Sequence, residues 1–477
     1  MKSLYDNTAC SVRINNMYTS MFNVSRGVKQ GCLISPTLFA LYINDLAMKI
    51  KSLNKGIDVD DINLSILLYA DDIVLLSPNE SNLQCMLDCV NEWCYKWRLS
   101  LNYSKSNIVH FRPSTMQRSD YNFTCGDNSI SYVDSYKYLG IWFNEHVTWC
   151  KAIKELSKSA SRALGCITAK FYACGGMTYR VFSKLYESLV QPILLYGASI
   201  WGLTEHRLIN NVQNRAGKLF LGVNKYTSNI AVQGDLGWMS CLAKQRIEVM
   251  RFYYKLKFVD ESRILSKIHQ WSKRKRRSWG CNVLKLLHVS DLSAENFYNS
   301  GISKELFMRE IKQKIRVFDE QLWFTKLWTD GSNLNGNKLR LYRQYKKDLL
   351  PESYVLRTLP RHLRSYLCKL RCGTLPLTVE TGRYMKPPVP LQERTCPFCT
   401  NFVIEDEIHF LVNCDVYSDL RYNLFSRAMQ VDNSFISKSD SEKFLFLIDN
   451  CDFQYELSFL VYNMIRRRRA LLSNIRL

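Results

Sequence analysis

The sequence predicts an α+β front followed by a mostly helical remainder and a small cysteine- and histidine-bearing module. Three observations carry this. Leu64–Leu76 sets two apolar runs around adjacent carboxylates, Asp71 and Asp72, which is the pattern of a tight β-hairpin with acids at its tip. Leu38, Phe39, Tyr42, Ile43 and Leu46, and again Trp149, Ile153, Leu156, Ala160, Leu164 and Ile167, repeat at helical spacing. Near the C-terminus, Cys396-x2-Cys399 and His409-x4-Cys414 have metal-ligand spacing.

Composition narrows the class. Lys and Arg number 65 against 43 acids, a net charge of +22, and neutralising phosphate is the usual use of such an excess. An apolar content of 47% over 477 residues argues against disorder and for two to four packed units. No apolar run reaches the ~20 residues a membrane helix needs, so no membrane partner is expected, and no secretory leader is read at the front. The 17 cysteines are scattered through helix and strand patterns, which suits buried thiols in a reducing compartment better than a disulfide framework.

Along the chain, Gly27-Val-Lys-Gln30-Gly31 leads into Ser35-Pro36, where Ser35 is placed to cap a helix and Pro36 suits its first position. The acids that follow, Asp71 and Asp72, repel each other beside an apolar core unless a cation offsets them, and Mg2+ favours one or two carboxylates plus substrate phosphates. Taken alone, a solvated Asp-Asp turn remains the commoner reading. In the helix predicted after residue 148, Lys151, Lys154, Lys158 and Arg162 recur at three- and four-residue steps, either a solvated face or a stripe for a nucleic-acid backbone.

Residues 247–338 read as amphipathic helices with a Gly/Asn-rich break at 330–336. Lys273–Arg277 and Arg466–Arg469 read equally as nucleic-acid or nuclear-localisation patches, implying a nuclear or nucleocytoplasmic location, and as solvated helix termini. Three thiolates from Cys396, Cys399 and Cys414 with the His409 imidazole would close a tetrahedral Zn2+ shell, which makes the site structural. Among Glu405, Asp406 and Glu407, one acid could orient that imidazole, or all three could be surface charge. The three-residue spacing of Cys368 and Cys372 on a helical pattern favours packing over ligation.

The Gly27–Phe39 segment and Tyr69-Ala70-Asp71-Asp72 together resemble motifs B and C of reverse transcriptases, specifically those of non-LTR (LINE-type) retrotransposons. Leu99-Ser-Leu-Asn102-Tyr-Ser-Lys105 resembles motif D, and Tyr136-Lys-Tyr138-Leu139-Gly140-Ile141 the primer-grip hairpin. Pro192–Trp201 and Gln213-Asn214-Arg215 resemble the helices that follow the polymerase, and residues 369–414 the zinc-binding region downstream. The resemblance implies a partial palm at 1–147, a thumb-like helical region at 148–250, a basic helical connector at 251–336, a zinc module at 337–425 and a basic helical segment at 426–477.

It further implies RNA-directed DNA polymerisation on an RNA template and a DNA primer or target, with dNTP and two Mg2+ ions. Asp71 becomes the main metal ligand, with Asp72 in support, and Lys105 a proton donor or phosphate contact. Tyr69 is placed near the primer end, Gln30, Gly31 and Ser35 near nucleotide and template, and Tyr138, Leu139 and Gly140 on the primer. Family members also use a carboxylate from motif A, upstream of motif B. Asp6 is the sole acid before Gly27 and its context does not match, so motif A, the fingers and the endonuclease are read as missing. The expectation is a polymerase remnant impaired as written, with a non-catalytic, zinc-containing nucleic-acid-binding protein as the alternative.

Overall fold

The structure is a computed structural model that describes residues 8–24, 27–289, 303–329, 338–400 and 402–475. Asp6 and the break at 330–336 lie outside the described residues. The chain divides into two compact units. One comprises residues up to Thr148 together with Val259–Arg274; the other comprises Trp149–Phe258 and Lys275–Leu477.

The first unit mixes helix and strand. Among the described residues its strands pair as two-stranded antiparallel ribbons, including Ile57–Val59 with Ile62–Leu64, Ile66–Tyr69 with Asp72–Leu75, and Ser135–Tyr138 with Ile141–Asn144. A lone ribbon is marginal in water, so each needs a packed face. For the Ile66–Leu75 ribbon the register supplies one. Ile66 opposes Leu75 and Leu68 opposes Ile73. These four pack on the helices Ser35–Ser52 and Glu80–Trp97 through Ile43, Leu46, Ile50, Met86, Val90 and Trp93. Because side chains alternate along a strand, Tyr69 and Asp72, which oppose each other, fall on the other face. Asn79 starts the second helix by accepting from the Asn82 amide at 2.9 Å. The Ile264–Arg274 helix returns to this unit, with Arg274 paired to Asp60 and Lys267 to Asp61.

The second unit is helical. In Cys150–Ala173 the buried face carries Ile153, Ala160, Leu164 and Ile167 of the predicted repeat and adds Phe171, while Trp149 and Leu156 are half-buried. A single apolar cluster runs from Ile153 to Ile465 and includes Cys396, Cys414 and Phe410. A smaller one joins Cys241–Lys257, Trp279–Val289 and Lys304–Thr329. No helix among the described residues is long and apolar enough to cross a membrane.

Candidate metal centres and nucleic-acid surfaces

The acid pair sits where the hairpin signal put it. Tyr69 and Asp72 are cross-strand partners, so Ala70-Asp71 is a two-residue turn, and Ala70 takes a left-handed φ of 52°. A non-glycine residue there stores strain, of the kind that clusters at functional sites. Tyr69 is 62% exposed, and Asp71 and Asp72 are exposed as well. Among the described residues no third Cys, His or acid forms a mutual cluster with them.

The hairpin Ser135–Asn144 lies beside this tip. Burial raises the Tyr138 phenol above its ordinary pKa, and the Asp72 charge adds to the rise. Its turn is Leu139-Gly140, with Leu139 at φ 46° and 40% exposed. Both two-residue turns therefore hold a non-glycine residue in the left-handed region. The Tyr136 hydroxyl donates to the Lys105 carbonyl at 3.0 Å, tying the 102–106 turn to this hairpin and leaving the Lys105 ammonium exposed. Behind the hairpin, buried Glu145 accepts from Arg112 at 3.1 Å and Arg118 at 2.5 Å, a network that gives no periodic sequence signal.

Ser35 differs from expectation. It is the first residue of its helix rather than the cap, and its hydroxyl donates to the Lys29 carbonyl at 2.6 Å. That bond reaches back six residues and holds the loop bearing exposed Gln30 and Gly31 against the helix entry. Gly31 has φ 82° and nothing of the chain within 4 Å of where a Cβ would stand, so its backbone is open to approach.

In the second unit, Cys396, Cys399, His409 and Cys414 bring ligand atoms within 4.8 Å of one another. Sγ of Cys414 lies 3.9 Å from Cys396 and 3.7 Å from Cys399, and Cys399 Sγ lies 3.5 Å from His409 Nε2. Tetrahedral zinc, with Zn–S of about 2.3 Å and Zn–N of about 2.05 Å, sets edges of about 3.8 Å between sulfurs and about 3.6 Å from sulfur to nitrogen. Donor set and edges both fit. Hydrogen bonding from Cys414 holds the Cys396 thiol down to about 3, while the same contact and burial push Cys414 up. Gathered this closely, the thiols do not all ionise without a cation.

The acids before His409 have other partners than the imidazole. Glu405 and Glu407 are buried, not surface charge. Glu405 is gripped by Arg468 at 2.8 and 2.6 Å and accepts from the Thr378 amide at 2.7 Å, and Glu407 pairs with Arg340. Asp406 accepts from the His409 amide at 2.8 Å and so fixes the turn carrying the ligand.

Cys368 and Cys372 form a second cluster with Asp235, all fully buried. The Asp235 carboxylate already accepts from Tyr342 at 3.0 Å, Tyr354 at 2.6 Å and Arg371 at 3.3 Å. Gly234 makes this possible, since a Cβ there would stand 2.5 Å from the Tyr342 hydroxyl. A carboxylate so saturated, beside a guanidinium, suits a buried polar network and not a cation.

On Cys150–Ala173, Lys151, Lys154, Lys158 and Arg162 are all exposed and share the face opposite the apolar one. Lys158 bonds Glu155 at 2.7 Å and Arg162 bonds Ser159 at 2.9 Å, so the stripe is partly engaged within its own helix. The arginine run near the C-terminus divides. Arg467 grips Asp419 and Arg468 grips Glu405, while Arg466 and Arg469 face solvent.

Known proteins agree with the front of the chain. Residues 1–143 match the reverse transcriptase (RNA-dependent DNA polymerase) family. The chain is 25% identical over 219 residues to the RNA-directed DNA polymerase from mobile element jockey of Drosophila funebris, covering 45% of this chain and 23% of that protein. It is 26% identical over 245 residues to the probable RNA-directed DNA polymerase from transposon BS of Drosophila melanogaster, covering 50% and 27%. The match to the probable polymerase from transposon X-element of the same fly is 23% over 249 residues, covering 50% and 26%. The chain thus spans about a quarter of the length of these relatives.

Proposed function

We propose that this chain, a LINE-type retrotransposon reverse transcriptase by family, uses the Asp71–Asp72 tip as one side of a two-Mg2+ nucleotidyl-transfer site and does not polymerise by itself. The observation that carries the reading is the exposed acid pair on a strained two-residue turn, with Tyr138 of the neighbouring hairpin beside Asp72. When bound, Mg2+ would supply Lewis-acid activation of the attacking 3′-hydroxyl and charge neutralisation at the triphosphate.

Each named residue then has one task. Asp71 holds the metal, with Asp72 in support. Tyr69, Tyr138, Leu139 and Gly140 position the primer end, and the open backbone at Gln30–Gly31, pinned through Ser35, borders nucleotide and template. Lys105 contacts phosphate or donates a proton to the leaving group. Two carboxylates on one side cannot clamp both ions, so activity requires a further acid in cis or in trans.

The test is Mn2+ uptake by residues 1–477, followed by electron paramagnetic resonance with template–primer and dNTP present. Uptake that requires the nucleotide and disappears in Asp71→Ala supports the reading; identical uptake in Asp71→Ala removes it. The Cys396–Cys414 cluster is proposed to hold structural Zn2+, and the Lys151–Arg162 stripe to track a nucleic-acid backbone. Those two features also support the second reading, a zinc-containing nucleic-acid-binding protein without catalysis. Partners in either case are RNA template and DNA primer or target, and the basic runs suit a nuclear or nucleocytoplasmic location.

A further inference from the structure

Arg361–Arg371 and Gln454–Ile475 lie side by side in the second unit, and their shared outer face combines rings with cations. Tyr462 meets His362 at 5.0 Å and Tyr366 at 5.5 Å between ring centroids. Cations flank this seam: Lys369 Nζ lies 4.9 Å from the Tyr366 ring, Arg469 6.0 Å from the same ring, and Arg466 5.7 Å from Tyr462.

The pattern continues along one helix face. Tyr455, Phe459, Tyr462, Arg466 and Arg469 are spaced by four, three, four and three residues, so they form a single stripe. Tyr455 is 53% exposed and Phe459 52%, and both precede the cationic turns. Both rings stand open on a helix otherwise packed through Leu457, Val461 and Met464.

The charge on the face is uncompensated. Among the described residues no carboxylate pairs with Lys369, Arg466 or Arg469, although Arg467 and Arg468 in the same run are both paired. Burial and then the Arg469 charge push the Lys369 ammonium below its ordinary pKa. An anion would relieve that repulsion.

We infer that this face binds single-stranded nucleic acid, with bases stacked on Tyr455 and Phe459 and phosphates held by Lys369, Arg466 and Arg469. Cations alone would serve a duplex backbone, as on the Lys151–Arg162 stripe, which has no ring among its cations. Among nucleic acids, exposed rings add affinity where bases are unstacked and free to lie on them, which a duplex does not offer. The site does not depend on Asp71–Asp72 chemistry.

The experiment uses the full chain with Lys151, Lys154, Lys158 and Arg162 changed to Gln, so that the other basic surface is silent. Fluorescence anisotropy follows a labelled oligouridylate of about 16 nucleotides, its oligothymidylate counterpart and an abasic strand of equal length. Base-bearing strands should bind about tenfold more tightly than the abasic one, and Tyr455→Ala with Phe459→Ala should erase that preference. Both changes are at exposed positions, and an unchanged thermal transition checks folding. Arg466→Gln with Arg469→Gln should lower the salt slope by about 1.4. A tighter RNA or a tighter DNA arm identifies the natural strand. Equal binding of abasic and base-bearing strands, a preference that survives loss of both rings, or displacement by polyglutamate at equal charge (the mark of an acidic protein partner) would overturn the proposal.

Discussion

The Asp71–Asp72 tip and the Cys396–Cys414 cluster are both candidate metal centres, and they are built in opposite ways. At the tip two like charges stand exposed on a strained turn, and among the described residues no third ligand joins them. The cluster gathers four ligands with tetrahedral edges, three of them buried, against the main core of its unit. An open set leaves coordination positions for substrate oxygens, whereas a closed set leaves none. The first suits chemistry that needs further partners, and the second suits holding a fold together.

The largest effect predicted by this contrast is on zinc. Purified residues 1–477 should carry one Zn2+, and chelation should remove a large part of the cooperative thermal transition of the second unit, since structural zinc contributes on the order of 10 kcal/mol. Cys399→Ser should abolish stoichiometric metal measured by plasma mass spectrometry. Cys368→Ser should retain it, because that thiol belongs to the Asp235 network. Zinc lost from Cys368→Ser in a folded chain would erase the distinction between the two cysteine clusters.

A smaller effect concerns the Lys151–Arg162 stripe. Changing its four cations to Gln should flatten the dependence of duplex affinity on salt by about 3.6 in slope, at roughly 0.9 per phosphate contact. An unchanged slope would make the stripe a solvated helix face. Smallest is the strain at the hairpin tip. Ala70→Gly should leave the first unit equally stable or about 0.5 kcal/mol more so in urea, because relief of the left-handed penalty is partly offset by unfolded-chain entropy. A loss of more than about 1 kcal/mol would mean that the Ala70 methyl packs in a way its exposure does not suggest.

Much of both centres was legible in the sequence, for different reasons. Two apolar runs flanking Asp71–Asp72 mark the ribbon and put the acids at its tip, and ligand spacing alone picks out Cys396, Cys399, His409 and Cys414. What could not be read depends on which partner the folded chain brings to each polar group. Ser35 looked like a cap because its type and position fit, but the Lys29 carbonyl takes its hydroxyl. For the acids before His409, orienting the imidazole and plain surface charge both stayed open, because Arg468 and Arg340, the partners of Glu405 and Glu407, lie 63 and 67 residues away. Within Arg466–Arg469, the packing of adjacent helices decides which guanidinium turns inward, and four identical letters carry no trace of it.

Primer extension decides whether the Asp71–Asp72 tip is one side of a metal site or a whole one. Zinc-loaded residues 1–477 are given poly(A) template, oligothymidylate primer, dTTP and Mg2+, with Asp71→Ala run in parallel. Incorporation is expected at the same background level for both proteins. Magnesium-dependent extension by the unaltered chain that vanishes in Asp71→Ala would contradict it, and would place a further catalytic carboxylate within these 477 residues.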